Sequence, residues 1–204
     1  MTTTDLLGLH HVTAITSSAP KIFQLMTEVL GLHLIKKTVN QDDVSAYHLY
    51  FTDDMGTAGT DITFFDFPGI GPGRYGKNSI SRIGFRVSND AALTYWAQRL
   101  ADYHITTDPI TTQFGAAALP FYDFDQQRYQ LISDEHQPDL PGGTPYRHSP
   151  VPENVAIRGL GTPIITVSQA ETLGHVLTKV MGFSQIATAD RQTLYELNHG
   201  GHAA

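Results

Sequence analysis

Hydrophobic and polar positions divide the chain into three stretches of the same design. Residues 7–16 alternate around Leu7, Leu9, His11 and Thr13, which predicts a strand. Ser18 then suits a helix cap, with Pro20 in the first turn, and Ile22, Leu25, Met26, Val29 and Leu30 repeat with helical spacing up to a stop at Gly31. Strands are expected at 32–39, 45–51 and 61–66, so the first stretch reads β-α-β-β-β. A glycine- and proline-rich linker at 66–79 follows. The order then recurs: a strand at 80–87, a helix at 90–102 capped by Asn89 or Asp90 with Leu93, Trp96 and Leu100 inward, and strands near 105–114, 116–123 and 127–133. Residues 134–154 read as a second linker. A third stretch opens with a strand at 160–167. Ser168 and Glu171 form a capping-box pattern for its helix, whose stripe is Leu173, Val176, Leu177, Val180 and Met181. Strands at 184–189 and 192–197 come next, and the tail 198–204 stands where a fourth strand is expected.

The first and third stretches repeat each other. Gly8 and Gly31 are 23 positions apart, as are Gly159 and Gly182, and the copies are offset by 151. A second full copy would run to about residue 300, taking the repeat as the structural unit. On this reading the fold class is α+β, built from tandem β-α-β-β-β modules. The division is 1–140 for a first domain (modules 6–66 and 80–134), 141–154 for a linker and 155–204 for an incomplete second domain. The chain is expected to be an incomplete form, with an open edge on the third module.

Composition narrows the function. The net charge of −7 argues against a nucleic-acid surface, which needs a basic stripe. No apolar run approaches the ~20 residues that span a bilayer. The start, Met1-Thr2-Thr3-Thr4-Asp5, lacks a basic region and an apolar core, so a cytoplasmic location is expected. With no cysteine, thiolate metal sites and a cysteine nucleophile are excluded, and histidine and carboxylate remain as strong ligands.

His10-His11-Val12-Thr13 lies on the first strand. Alternation puts His11 and Thr13 on one face and His10 with Val12 on the other. The plainer alternative is one histidine in the core and one at the surface. His48 and Tyr50 share a face of the third strand and are candidates to line a pocket for a phenolic ring; a half-exposed strand is the alternative. Gly71-Pro72-Gly73-Arg74-Tyr75-Gly76-Lys77-Asn78 nearly fits a phosphate-binding loop. It fails at Asn78 and precedes a strand where a helix N-terminus is required.

Gly8-Leu9-His10-His11-Val12-Thr13 followed by Val29-Leu30-Gly31-Leu32 resembles the vicinal oxygen chelate superfamily, which includes glyoxalase I, bleomycin-resistance proteins and type I extradiol dioxygenases. Lys36-Lys37-Thr38-Val39-Asn40-Gln41-Asp42-Asp43, Tyr47-His48-Leu49-Tyr50 and Gly59-Thr60-Asp61-Ile62-Thr63-Phe64-Phe65 are similar to the ring-cleaving dioxygenases that act on hydroquinone-type substrates. The resemblance covers nearly all of 6–197. It implies Fe(II), with Mn(II) as the other option, held by two histidines and a glutamate and leaving positions open for substrate oxygens and dioxygen. It makes His11 the first metal ligand and His10 and Thr13 proton-transfer or neighbouring residues. The other two ligands belong to a fourth module and are not expected in this chain. In the second module Arg82 falls where His11 stands. The family's carboxylate position falls near Gln130 there and near Thr63 in the first module. The expected function is ring cleavage of a hydroquinone- or catechol-like aromatic by dioxygen, by a protein that is a monomer or a homodimer. Two other readings stay open: a metal-free protein that sequesters an aromatic compound, and a glyoxalase-like isomerase or lyase.

Overall fold

The computed structural model describes residues 6–137 and 140–197. The first module comprises β1 (His11–Thr16), α1 (Ala19–Gln24), β2 (His33–Val39), β3 (Tyr47–Thr52) and β4 (Asp61–Asp66). Its sheet has the order β1-β4-β3-β2, with β1 and β4 parallel and the other pairs antiparallel. Ser18 caps α1 by accepting from the Lys21 N–H at 3.4 Å. The helix then widens into a π turn over Leu25–Val29, where the Leu30 N–H reaches the Leu25 carbonyl. Gly31 ends it at φ +75°, and a Cβ there would strike Ser149 and Val151. Ile22, Leu25, Met26 and Val29 are buried as the periodicity predicts.

The second module repeats the order with β5 (Ser79–Val87), α2 (Asp90–Asp102), β6 (Thr111–Gln113), β7 (Ala116–Tyr122) and β8 (Arg128–Ser133). Asn89 is the cap of α2, accepting from the Ala92 N–H at 2.9 Å. The strand expected at 105–114 shrinks to three residues plus an isolated bridge between Thr107 and Phe121. Pro109 has no N–H to give to a ladder there. One continuous core joins the two modules through Val12, Met26, Phe51 and Phe64 on one side and Phe85, Trp96, Phe121 and Tyr129 on the other.

The third module consists of β9 (Gly159–Thr166), α3 (Ala170–Lys179), β10 (Ser184–Ala189) and β11 (Gln192–Glu196). Here β9 joins the second module's sheet, pairing antiparallel with β5 in the order β6-β7-β8-β5-β9. That five-stranded sheet therefore runs across the linker expected at 141–154. Among the described residues β10 and β11 form a separate two-stranded sheet. In the first two modules a fourth strand lies between strands one and three, and here none of the described residues fills that place. Two expectations fail for this reason or near it. The α3 stripe is not buried: Val176 and Val180 are 39% and 64% exposed, because among the described residues no four-stranded sheet backs the helix. The capping box does not form either. The N-cap is Gln169, and the Ser168 N–H and hydroxyl both donate to Asn78 Oδ1, which the β5–β9 pairing brings alongside. The tail 198–204, including His199 and His202, lies outside the described residues.

Candidate active site

One face of the first sheet packs on the core and the other stays open. Along β1, Val12 and Thr16 are buried while His11, Thr13 and Ile15 are exposed. The parallel register sets His11 beside Asp61, Thr13 beside Thr63 and Ile15 beside Phe65. The antiparallel registers add Tyr50 beside Thr63, His48 beside Phe65, and Lys36 and Thr38 beside Tyr50 and His48. All of these side chains lie on the open face, since residues two apart share a face.

Hydrogen bonds connect them. The Tyr50 hydroxyl lies 2.8 Å from His48 Nδ1, and His48 Nε2 lies 3.0 Å from Thr63 Oγ1. The Thr63 hydroxyl donates to Thr13 Oγ1 at 3.0 Å. Phe65 packs on the other side of the His48 ring, with centroids 4.0 Å apart, and the Lys36 ammonium sits over the Tyr50 ring. Burial lowers the pKa of His48, and the electrostatic effect of the neighbouring Lys36 and His11 side chains lowers it further. Burial and the Asp61 charge raise the pKa of Tyr50.

His11 lies exposed on the same face. Its Nδ1 is 3.0 Å from Nδ1 of His10, with the rings edge to face. Strict alternation would send His10 to the opposite face, but β1 begins only at His11, so alternation does not bind His10. Asp61, opposite His11, is the residue that sequence reasoning missed. Burial raises its pKa, against the opposing pull of His11 and His10, and its Oδ1 is buried without a hydrogen-bond partner. A polar residue two places before Thr63 on an alternating strand was the available signal.

A carboxylate oxygen without a donor beside an exposed imidazole suits one corner of a cation site. A complete centre is a different matter. Among the described residues no group of three or more histidines, aspartates or glutamates is placed to hold a metal ion. The second module offers no substitute. Gly84 pairs with Gln130 as Thr13 pairs with Thr63, which puts Arg82 in the place of His11. Arg82 donates to the Tyr129 carbonyl at 3.0 Å and lies over the Tyr122 ring. Gln130 donates to the Thr162 carbonyl at 3.3 Å. The reading of this module as a copy without a metal ligand set rests on those positions.

The sequence profile of the Glyoxalase/Bleomycin resistance protein/Dioxygenase superfamily matches residues 8–131, the two complete modules. The chain belongs to that superfamily. It is 42% identical over 180 residues to the Bacillus subtilis (strain 168) protein named "Putative ring-cleaving dioxygenase MhqA", covering 88% of this chain and 56% of that protein. It is 28% identical over 200 residues to the "Chlorohydroquinone/hydroquinone 1,2-dioxygenase" of Sphingobium indicum, covering 96% of this chain and 61% of that protein. A solved structure titled as a "putative dioxygenase" from Bacillus subtilis superposes with a TM-score of 0.86 at 28% identity, over 96% of this chain and 60% of that one. The chain thus spans less than two thirds of the length of these relatives. Among the described residues no helix is long and apolar enough to cross a membrane.

Proposed function

We propose that the protein is a ring-cleaving dioxygenase that opens a hydroquinone- or catechol-like aromatic with dioxygen and Fe(II). The observation that carries this reading is the open face of the first sheet, where an exposed His11 stands among Asp61, Thr13, His48 and Tyr50. His11 is one metal ligand in this reading, and Asp61 lies beside it with an oxygen free of any donor. Bound iron would supply a site where substrate oxygens and dioxygen meet. The described residues do not complete a three-ligand centre. What this chain contributes is the open face of the first sheet. Tyr50, Phe65 and the Lys36 stem offer a surface for an aromatic ring, and Thr13 and His10 flank the place where its oxygens lie. The names of the relatives support the substrate class.

Anaerobic loading of the full-length protein with Fe(II), followed by oxygen-electrode measurement with hydroquinone, tests the reading. The expected result is one dioxygen consumed per ring lost, abolished in His11→Ala together with bound iron. Iron retained stoichiometrically by His11→Ala would overturn the ligand assignment. Tight aromatic binding that is indifferent to chelators and consumes no oxygen would favour a sequestering protein instead.

A further inference from the structure

The second sheet carries a charge-reversed counterpart of the His11 and Asp61 pair. Gly84 beside Gln130 matches Thr13 beside Thr63, so Arg82 and Arg128, two places earlier on the same strands, stand where His11 and Asp61 stand. Tyr122 of β7 is the direct partner of Arg128 across the next ladder. These three side chains share one face. Tyr75, from the linker between the modules, joins them there: the Arg128 guanidinium lies 3.5 Å from the centre of the Tyr75 ring, and that of Arg82 lies 5.9 Å from the centre of the Tyr122 ring. Burial raises the pKa of Tyr75, and the charges of Arg128 and Arg82 oppose the rise, so both guanidinium groups act on one phenol. Beyond the arginines the face is closed. A bulge of β9 between Gly161 and Ile164 lays the Thr162 carbonyl against Gly84, where it accepts from Gln130 Nε2 at 3.3 Å.

Like charges on neighbouring strands repel, and this pair is not neutralised from within. Among the described residues neither arginine forms an ion pair. Arg82 donates to the Tyr129 carbonyl, while the Arg128 guanidinium donates to no described residue, and its Nε is buried without a partner. Gln130 Oε1, on the same face, is also buried without a partner. The carboxylates of this part of the module are taken. Asp108 accepts the Tyr122 hydroxyl at 2.5 Å, Asp123 accepts the Tyr129 hydroxyl at 2.9 Å, and Asp125 accepts the Ser17 and Thr16 hydroxyls. Unmet donors on two adjacent cations call for an anion from outside the described residues. In a chain of net charge −7, a single pair of arginines suits a small anion rather than a polyanion.

We propose that Arg82 and Arg128 form a binding site for the carboxylate of a planar organic acid, whose flat body lies alongside Tyr75 and Tyr122. A guanidinium fork matches the two oxygens of a carboxylate in one plane. The Tyr75 ring, 3.5 Å from the Arg128 guanidinium, covers its face and leaves its N–H edges for the ligand. The two phenol rings also offer apolar surface beside the cations, which a conjugated acid covers and inorganic phosphate does not. The site lies on a different sheet from His11, so it goes beyond the ring-cleavage reading and stands without it.

Titration calorimetry of the full-length, chelator-treated protein with cinnamate and with benzoate tests this. The wild type is expected to bind both acids. Methyl cinnamate, which has the same body without the charge, should bind roughly tenfold more weakly or worse, and so should cinnamate in Arg82→Gln and in Arg128→Gln, the effect of losing a hydrogen bond to a charged group. Arg128→Gln keeps the test sound if Arg82→Gln, which loses its bond to the Tyr129 carbonyl, does not fold. Loading with Fe(II) should leave the affinity unchanged. Failure of the wild type to bind either acid overturns the proposal, as does equal affinity in Arg128→Gln or equal affinity for the ester. Binding that appears only with Fe(II) places the acid at His11 and overturns the proposal as well, whereas a failure of ring cleavage with this binding intact leaves it standing. Inorganic phosphate bound more tightly than cinnamate, and lost in Arg128→Gln, overturns the carboxylate assignment.

Discussion

Asp125, in the turn between β7 and β8, fastens the second module to Ser17 of the first. Its carboxylate accepts the Ser17 N–H at 2.9 Å, the Ser17 hydroxyl, and the Thr16 hydroxyl at 2.8 Å. These groups stand at the end of β1, just before α1, so one carboxylate fixes the exit of the strand that carries His11. Asp125→Ala leaves three donors without a charged partner. The expected cost is about 2 kcal/mol, since the site is half-buried. For a chain of this size that is a fall in Tm of roughly 4–8 °C, read by circular dichroism. Asp125→Asn keeps an acceptor and should lose about half as much.

Asp53 and Asp123 occupy the same place in the two repeats, each directly after the third strand. Each accepts the N–H groups two and four residues on. Their acidities nevertheless differ. At Asp53 burial pushes the pKa up, but donors from Thr57, Thr144 and Met55 outweigh it and hold it below the ordinary value. At Asp123 burial prevails, aided by the neighbouring Asp125 charge, and the pKa rises from 3.8 to about 6. The folded protein therefore binds this proton more tightly than the unfolded chain. The stability it contributes is complete below pH 3.8 and is lost as the pH rises through about 6. That difference is worth about 3 kcal/mol. Asp123→Asn should remove this dependence. The check is urea denaturation at several pH values, taking the difference between wild type and variant, which cancels the opposite trend of carboxylates such as Asp53.

Gly84 lies where the backbone of β9 comes close against β5. A Cβ there would come within 2.6 Å of the Thr162 carbonyl and 2.9 Å of the Gly161 backbone. The matching place in the first module is Thr13, whose strand pairs with β4 alone among the described residues, so a side chain fits. Gly84→Ala should push β9 from β5 at a cost of about 3 kcal/mol. Limited proteolysis should then cut the 159–197 region faster while the first two modules stay resistant. Unchanged digestion would show that the contact relaxes without cost.

Arg86 and Asp134 form a buried pair, with Nη2 2.9 Å and Nε 3.0 Å from Oδ2. The Arg86 Nη1 group also donates to the Pro141 carbonyl at 2.8 Å, tying the second linker to β5. Arg86→Met removes the charged partner of a buried carboxylate and should cost about 3 kcal/mol in urea denaturation. Asp134→Asn, which retains an acceptor for the guanidinium, should cost less.

The β-α-β-β-β order, the cap at Ser18, the choice of Asn89 or Asp90 for the second cap, and the shared face of His11 and Thr13 were all legible in the sequence. They depend on local periodicity and on side chains that bond to their own helix, so a window of a dozen residues contains them. The resemblance of the histidine-bearing strand and the later motifs likewise led to the right superfamily. Asp61 was not legible as a partner of His11. Fifty residues separate them, and only the parallel register of β1 on β4 sets them side by side. The link from Tyr50 to Thr13 crosses three strands and exists only in the folded sheet. The exposed stripe of α3 has the opposite cause. Its periodicity is as clear as that of α1, but a helix face is buried only if a sheet backs it, and among the described residues β9 pairs with β5 instead. Sequence determined which residues alternate and which elements follow one another, because those are short-range properties of the backbone. Tertiary structure decided which faces meet, because pairing between distant strands carries no local signal.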